Sequence, residues 1–232
     1  MHIVLNLKAY ACDAAALAQT AVEQATDEVP ITVVPQAPEI AAVAAAGADT
    51  WAQHVDTIAH GSHTGTVHPG VAAAVGATGT LLNHSERRLR LAQIDTAITA
   101  AQRAGLRTCV CANTPAQTAA VAALGPDVVA IEPPALIGGD VSVATADPDV
   151  VRDAVTAAAE VDPSVAVYCG AGVSTAADVT AAGELGTGGV LLASGVAKAA
   201  DPAAALAALI PAQRPSNPTR AVWPRRCARP GR

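Results

Sequence analysis

Eight short runs of β-forming residues recur along the chain, and the stretches between them are long enough to hold helices. The runs are Ile3–Asn6, Ile31–Val34, Thr50–Gln53, Gly79–Leu82, Thr108–Cys111, Val128–Ile131, Val165–Tyr168 and Gly189–Leu192. Between most of them lie alanine-rich segments with helical spacing: Ala14–Ala25, Ser85–Ala104, Pro148–Ala159 and Thr175–Ala182, with a shorter helix within Pro38–Thr50. Strands that alternate with helices in this way pair in parallel. Two architectures then compete, a closed (β/α)8 barrel and an open doubly wound sheet. Even spacing of eight units over about 210 residues predicts the closed eight-stranded parallel sheet of an α/β barrel, and so does the lack of a Gly-rich dinucleotide turn after the first run.

The charge pattern divides the chain at one point. Residues 213–232 hold six arginines, four prolines and no acidic residue, whereas residues 1–212 set eight basic against 20 acidic residues, a net of −12. The chain is therefore expected to consist of a barrel domain over residues 1–212 and a basic, disordered tail over 213–232. The lysine-poor, acidic body is suited to a salt-rich cytosol. No apolar run reaches the roughly 18 residues of a membrane helix and no secretion signal is read, so a cytoplasmic protein without membrane or nucleic-acid partners is expected. Five cysteines without a CxxC pair are expected to be reduced thiols. His60, His63 and His68 fall within a long polar segment, Asp56–Gly70, but lack a fixed ligand spacing, so a solvated loop and no metal is the expectation.

In a parallel barrel, reactive side chains gather where strands end and βα loops begin. Asn6-Leu7-Lys8 follows the first run, and Lys8 is one of only two lysines in the chain. Asn83-His84 follows the fourth, ahead of Ser85-Glu86-Arg87-Arg88. Ser85 and Glu86 read as the cap and first turn of a helix, which would set His84 against the positive end of a helix dipole and keep its imidazole neutral. Glu132 ends the sixth run before Pro133-Pro134, which fix the backbone, and Ala135–Gly139 reads as a lid with a glycine-bearing tip.

These stretches, together with Glu132-Pro-Pro-Ala-Leu-Ile-Gly138, Cys169-Gly-Ala-Gly-Val-Ser174 and Leu191-Leu-Ala-Ser-Gly195, resemble the triosephosphate isomerase family in its short archaeal form over roughly residues 1–210. The resemblance implies interconversion of dihydroxyacetone phosphate and glyceraldehyde 3-phosphate without a cofactor. It implies Glu132 as base, His84 as electrophile and Lys8 as cation. Asn6, Leu7, Ile137, Gly138, Gly172, Ala193 and Ser194 would bind substrate, with Ser85, Glu86 and Gln53 in support. A homodimer or homotetramer is implied too. Ala135 and Ala193-Ser194 depart from the tryptophan and glycine pair of longer family members, and Thr66 stands where their third loop carries a glutamate. On the residues alone, another phosphate-binding (β/α)8 enzyme and a non-catalytic sugar-phosphate-binding barrel stay open.

Overall fold

The computed structural model describes residues 1–136 and 142–211. Eight parallel strands close into a barrel in sequence order: β1 His2–Asn6, β2 Ile31–Val34, β3 Asp49–Ala52, β4 Gly79–Leu82, β5 Arg107–Ala112, β6 Val128–Ile131, β7 Ala166–Cys169 and β8 Gly189–Leu192. Closure is made by β1 and β8, with Ile3 opposite Val190. The expected strands are all present, most displaced by no more than a residue at each end. Connecting helices include Ala14–Gln24, Leu91–Arg103, Pro115–Ala122, Pro148–Val161 and Ala176–Glu184. Many start on a side-chain cap, and proline takes the first helical position where its missing N–H costs nothing. Thr114-Pro115, Asp147-Pro148 and Asp201-Pro202 all have this form.

One expected helix begins later than its sequence signals. Ser85–Arg90 is a loop, and the helix starts at Leu91, with Gln93 Oε1 accepting from Arg90 N at 3.0 Å. The segment's main chain and arginines are committed elsewhere: Arg87 N donates to His84 O and Arg88 Nη1 to Asn83 O, while the buried Ser85 hydroxyl has no hydrogen-bond partner among the described residues. Ser85 therefore caps no helix.

Alternation along each strand sorts the side chains. One set faces the helices and fills two apolar clusters built around Ile3, Leu5 and Val33 and around Leu82, Val110 and Val129. The other set points into the barrel, where Val4, Val34, Trp51, Leu81, Cys109, Ala130, Tyr168 and Leu191 form a packed middle layer. The same parity puts Asn6, Asn83, Cys111 and Glu132 inside at the carboxyl mouth, and His2, Thr32, Asp49 and Arg107 inside at the amino-terminal floor.

The floor is a hydrogen-bonded plug. Thr32 Oγ1 donates to Asp49, so its only proton is used and it must accept from His2 Nε2 (2.7 Å); the opposite ring nitrogen, Nδ1, is left to accept from the Tyr168 hydroxyl (2.8 Å). Asp49 also takes a 3.0 Å ion pair from Arg107, whose guanidinium lies 5.2 Å from the Trp51 ring centre. Burial, then the Arg107 charge, pushes the His2 imidazole down to about 4. Trp51 Nε1 is buried here without a hydrogen-bond partner among the described residues.

Candidate active site

At the mouth, the first strand ends in Asn6, and the chain turns at once through Lys8, whose φ of +49° is left-handed. Asn6 Oδ1 accepts from Lys8 N (2.9 Å), and the Lys8 carbonyl accepts from Gln36 Nε2 (2.6 Å) and Gln53 Nε2 (2.8 Å). A strained residue persists only where its surroundings over-determine it, and these three side chains do so. Gln53 thus supports Lys8 through its backbone. The Lys8 ammonium reaches across the mouth to Glu86 Oε1 at 2.8 Å, with the lysine 16% and the glutamate 60% exposed. Leu7 is buried among Ala171, Val173 and Val196, so what it offers the mouth is main chain.

After β4, Asn83 is also left-handed, at φ +57°. His84 follows and is buried. Glu86 N donates to His84 Nδ1 at 3.2 Å, which requires a lone pair there and so leaves a neutral ring with its proton on Nε2. Burial, then the charge of Lys8, lowers the His84 basicity, Arg88 adds to this and Glu86 opposes it. The neutral imidazole expected from a helix dipole is thus produced by a loop N–H, desolvation and neighbouring cations.

His84 Nε2 lies 3.8 Å from Glu132 Oε1. Glu132 is 3% exposed, and its Oε2 has no hydrogen-bond partner among the described residues. Burial raises the carboxyl to about 7, against the pull of the Cys111 thiol and the Arg88 and Lys8 charges. The carboxylate fits because position 170 is glycine: a Cβ there would stand 2.5 Å from Glu132 Cγ. Behind Glu132, Pro134–Leu136 forms a short 3-10 turn, whereas Ile137, Gly138 and Gly139, the expected lid tip, lie outside the described residues.

The turns after β7 and β8 adjoin. Gly172 has φ +68°, Ala193 precedes the short helix Ser194–Ala197, and a Cβ on Gly195 would come within 3.9 Å of Val173 O. The first N–H groups of such a helix have no intrahelical acceptor and point outward. Sequence reasoning gives no role to Gln36, Arg88, Cys111 or Gly170, although Arg88 and Gly170 lie within the stretches that carry the family resemblance and Cys111 sits two residues from the inward-facing Cys109 on β5.

The histidine segment is separate from this site. His68 Nδ1 accepts from Gly70 N and caps the helix Pro69–Ala74, and the His60 ring stacks on His68 at 4.1 Å. Among the described residues, no group of three or more His, Cys, Asp or Glu is placed to hold a metal ion, and no helix is long and apolar enough to cross a membrane.

A buried carboxyl that titrates near neutrality, facing a neutral N–H donor beside a lysine, can take a proton from carbon while the adjacent oxygen is stabilised. Comparison with known proteins agrees with that chemistry. The family model described as Triosephosphate isomerase matches residues 1–212. A protein of Halobacterium salinarum named triosephosphate isomerase is 61% identical over 211 residues, covering 90% of this chain and 99% of that protein. One of the same name from Methanosarcina barkeri is 48% identical, covering 90% of this chain and 96% of the relative. A third, from Archaeoglobus fulgidus, is 52% identical over 70% of this chain and 73% of its own length. From its closed barrel, the residues at its mouth and these matches, the chain belongs to the triosephosphate isomerase family.

Proposed function

We propose that the mouth of this barrel interconverts dihydroxyacetone phosphate and glyceraldehyde 3-phosphate, and that the following residues carry the reaction. Glu132 removes a proton from the carbon next to the substrate carbonyl and returns it to the neighbouring carbon. His84 donates its Nε2–H to the oxygens of the intervening enediolate, and the Lys8 ammonium balances their charge. The observation that carries this reading is the buried Glu132 carboxylate, whose Oε2 has no hydrogen-bond partner among the described residues and whose Oε1 lies 3.8 Å from a histidine with its proton on Nε2. A base held near neutrality is matched to abstraction from a weak carbon acid at physiological pH, because a substantial fraction is ionised and that fraction is still basic.

Asn6 orients the Lys8 turn, with Gln53, Glu86 and Ser85 in support. Main-chain N–H groups of Gly172, Ala193 and Ser194, with those of Ile137 and Gly138 further along the sequence from Glu132, would hold the phosphate without further cations, which suits an acidic body. Leu7 lines the mouth with its backbone. We assign catalysis to the barrel, residues 1–212, and no role to the tail, residues 213–232. Assembly as a homodimer or homotetramer in a salt-rich cytoplasm completes the proposal, on the strength of the family likeness and the net charge of −12 over residues 1–212.

A coupled assay for each direction of triose phosphate interconversion, at low and at molar salt, tests this. Turnover in both directions that is blocked by phosphoglycolate is expected, since that anion resembles the enediolate in shape and charge. A protein that binds phosphoglycolate without turnover would instead be a sugar-phosphate-binding barrel.

A further inference from the structure

Among the described residues only two other than glycine have positive φ, and both flank the proposed chemistry. One, Lys8, takes part directly. The other, Asn83, makes its side-chain hydrogen bonds to main chain rather than to the base, and its side chain and backbone are tied on three sides. Asn83 Nδ2 donates to Cys111 O on β5 (2.8 Å), Asn83 Oδ1 accepts from Leu89 N (2.9 Å), and Asn83 O accepts from Arg88 Nη1 (2.7 Å). Arg88 in turn is bound to Asn113 just past β5.

The β5 residue that receives the Asn83 amide is the one whose thiol lies beside Glu132, so a single bridge spans from the residue before His84 to the wall behind the base. The loop is closed at its other end by Leu89 N, which forces the chain from His84 to Arg88 to fold back over Asn83. Within that return, Glu86 N meets His84 Nδ1 and leaves the proton on Nε2. An ordinary residue could supply neither the left-handed backbone nor both bonds. Asparagine adopts that region more readily than other non-glycine residues, and its amide both donates and accepts.

We infer that Asn83 is a positioning residue for the isomerisation, its cross-strand amide bridge setting the aim of the His84 imidazole toward Glu132. The inference rests on the function proposed above. Displacing a reacting group by about 1 Å can cost about a hundredfold in rate, whereas substrate held by its phosphate is little affected.

Three variants of the full chain separate the contributions. Asn83→Gly keeps the left-handed backbone and loses the side-chain bonds. Asn83→Asp keeps the acceptor for Leu89 N and loses the donor to Cys111 O. Asn83→Ala loses the bonds and disfavours the backbone. Turnover is expected to fall by about tenfold in the Gly and Asp variants and by up to about a hundredfold in the Ala variant, with KM within about twofold throughout. Nitrogen-15 spectra of the histidine ring should show the His84 signals moving in the Gly variant while those of His2 stay in place. A Gly or Asp variant with wild-type turnover overturns the inference, whatever its melting temperature. So does a loss confined to KM. Wild type is assayed alongside: an inactive wild type removes the proposed function and this inference with it, whereas an active wild type with unaltered variants removes only the role of Asn83.

Discussion

Each end of the barrel holds a buried histidine and a carboxylate, and the two ends use them differently. At the floor, His2 is engaged at both ring nitrogens, and its line of donors runs from Tyr168 through Thr32 to Asp49, which Arg107 and Thr78 also satisfy. At the mouth, among the described residues, His84 is hydrogen-bonded at one nitrogen only, and Glu132 keeps one oxygen without a hydrogen-bond partner. Unmet hydrogen-bonding capacity in a buried place costs stability; at the floor it falls on the Trp51 indole, outside the line from His2 to Asp49, whereas at the mouth it falls on the carboxylate itself. The same two residue types thus serve as plug and as machinery, and what distinguishes them is whether their partners are complete.

Breaking the open end should have the largest effect. Glu132→Gln is expected to lower turnover at least about a hundredfold, as loss of a general base does, with the fold retained. It should also separate activity from stability. The Glu132 carboxyl is raised from 4.5 to about 7, so its contribution to stability is full below pH 4.5 and is lost as the pH rises through about 7. The loss amounts to about 3 kcal/mol, and glutamine escapes it, so urea titrations should favour the variant increasingly from pH 5 to pH 8. A stability difference that does not change with pH would mean that water reaches the carboxylate.

Gly170→Ala sharpens the comparison from the opposite wall. The new methyl group, 2.5 Å from Glu132 Cγ, must push the base out of its place, and turnover should fall about tenfold to a hundredfold with both carboxylate oxygens and the histidine intact. Undiminished turnover would show that the base works from a different rotamer.

The smallest effect on catalysis belongs to the floor. His2→Gln should leave turnover at pH 7.5 within about twofold while removing roughly 1–3 kcal/mol of stability there, the cost of an incomplete buried network. The His2 imidazole is lowered from 6.5 to about 4, so its contribution is full above pH 6.5 and is lost as the pH falls through about 4. The gap between wild type and variant should therefore close on acidification, and a constant gap would mean that His2 is not neutral in the fold.

Much of this was legible before any coordinates. The barrel followed from the alternation of strand and helix, because every strand is short, rich in β-branched or aliphatic residues and bounded by polar or glycine-bearing loops. Lys8, His84 and Glu132 were legible as strand-end residues, since parity and register put such positions at one mouth. Features that depend on contacts between remote segments were not. The helix expected from Ser85 was displaced to Leu91 because Arg88 and Asn83 claim the intervening loop, and no local rule could foresee that competition. The need for glycine at 170 arises from a side chain at the end of the neighbouring strand, and the plug at the floor joins His2 to Tyr168 across 166 positions of sequence.

The seam between β1 and β8 has a consequence for biosynthesis. Ile3 has its final neighbour only when Val190 has been made, so until then the nascent sheet carries two unsatisfied edges. Such edges are templates for pairing with other chains. The base and the histidine leave the ribosome long before the turn at Ala193-Ser194 that completes the mouth, and a chain stalled between them is an adhesive sheet rather than a partial catalyst. Speed of elongation through the last strand, and whatever shields the first one meanwhile, then decide how much protein reaches the closed state.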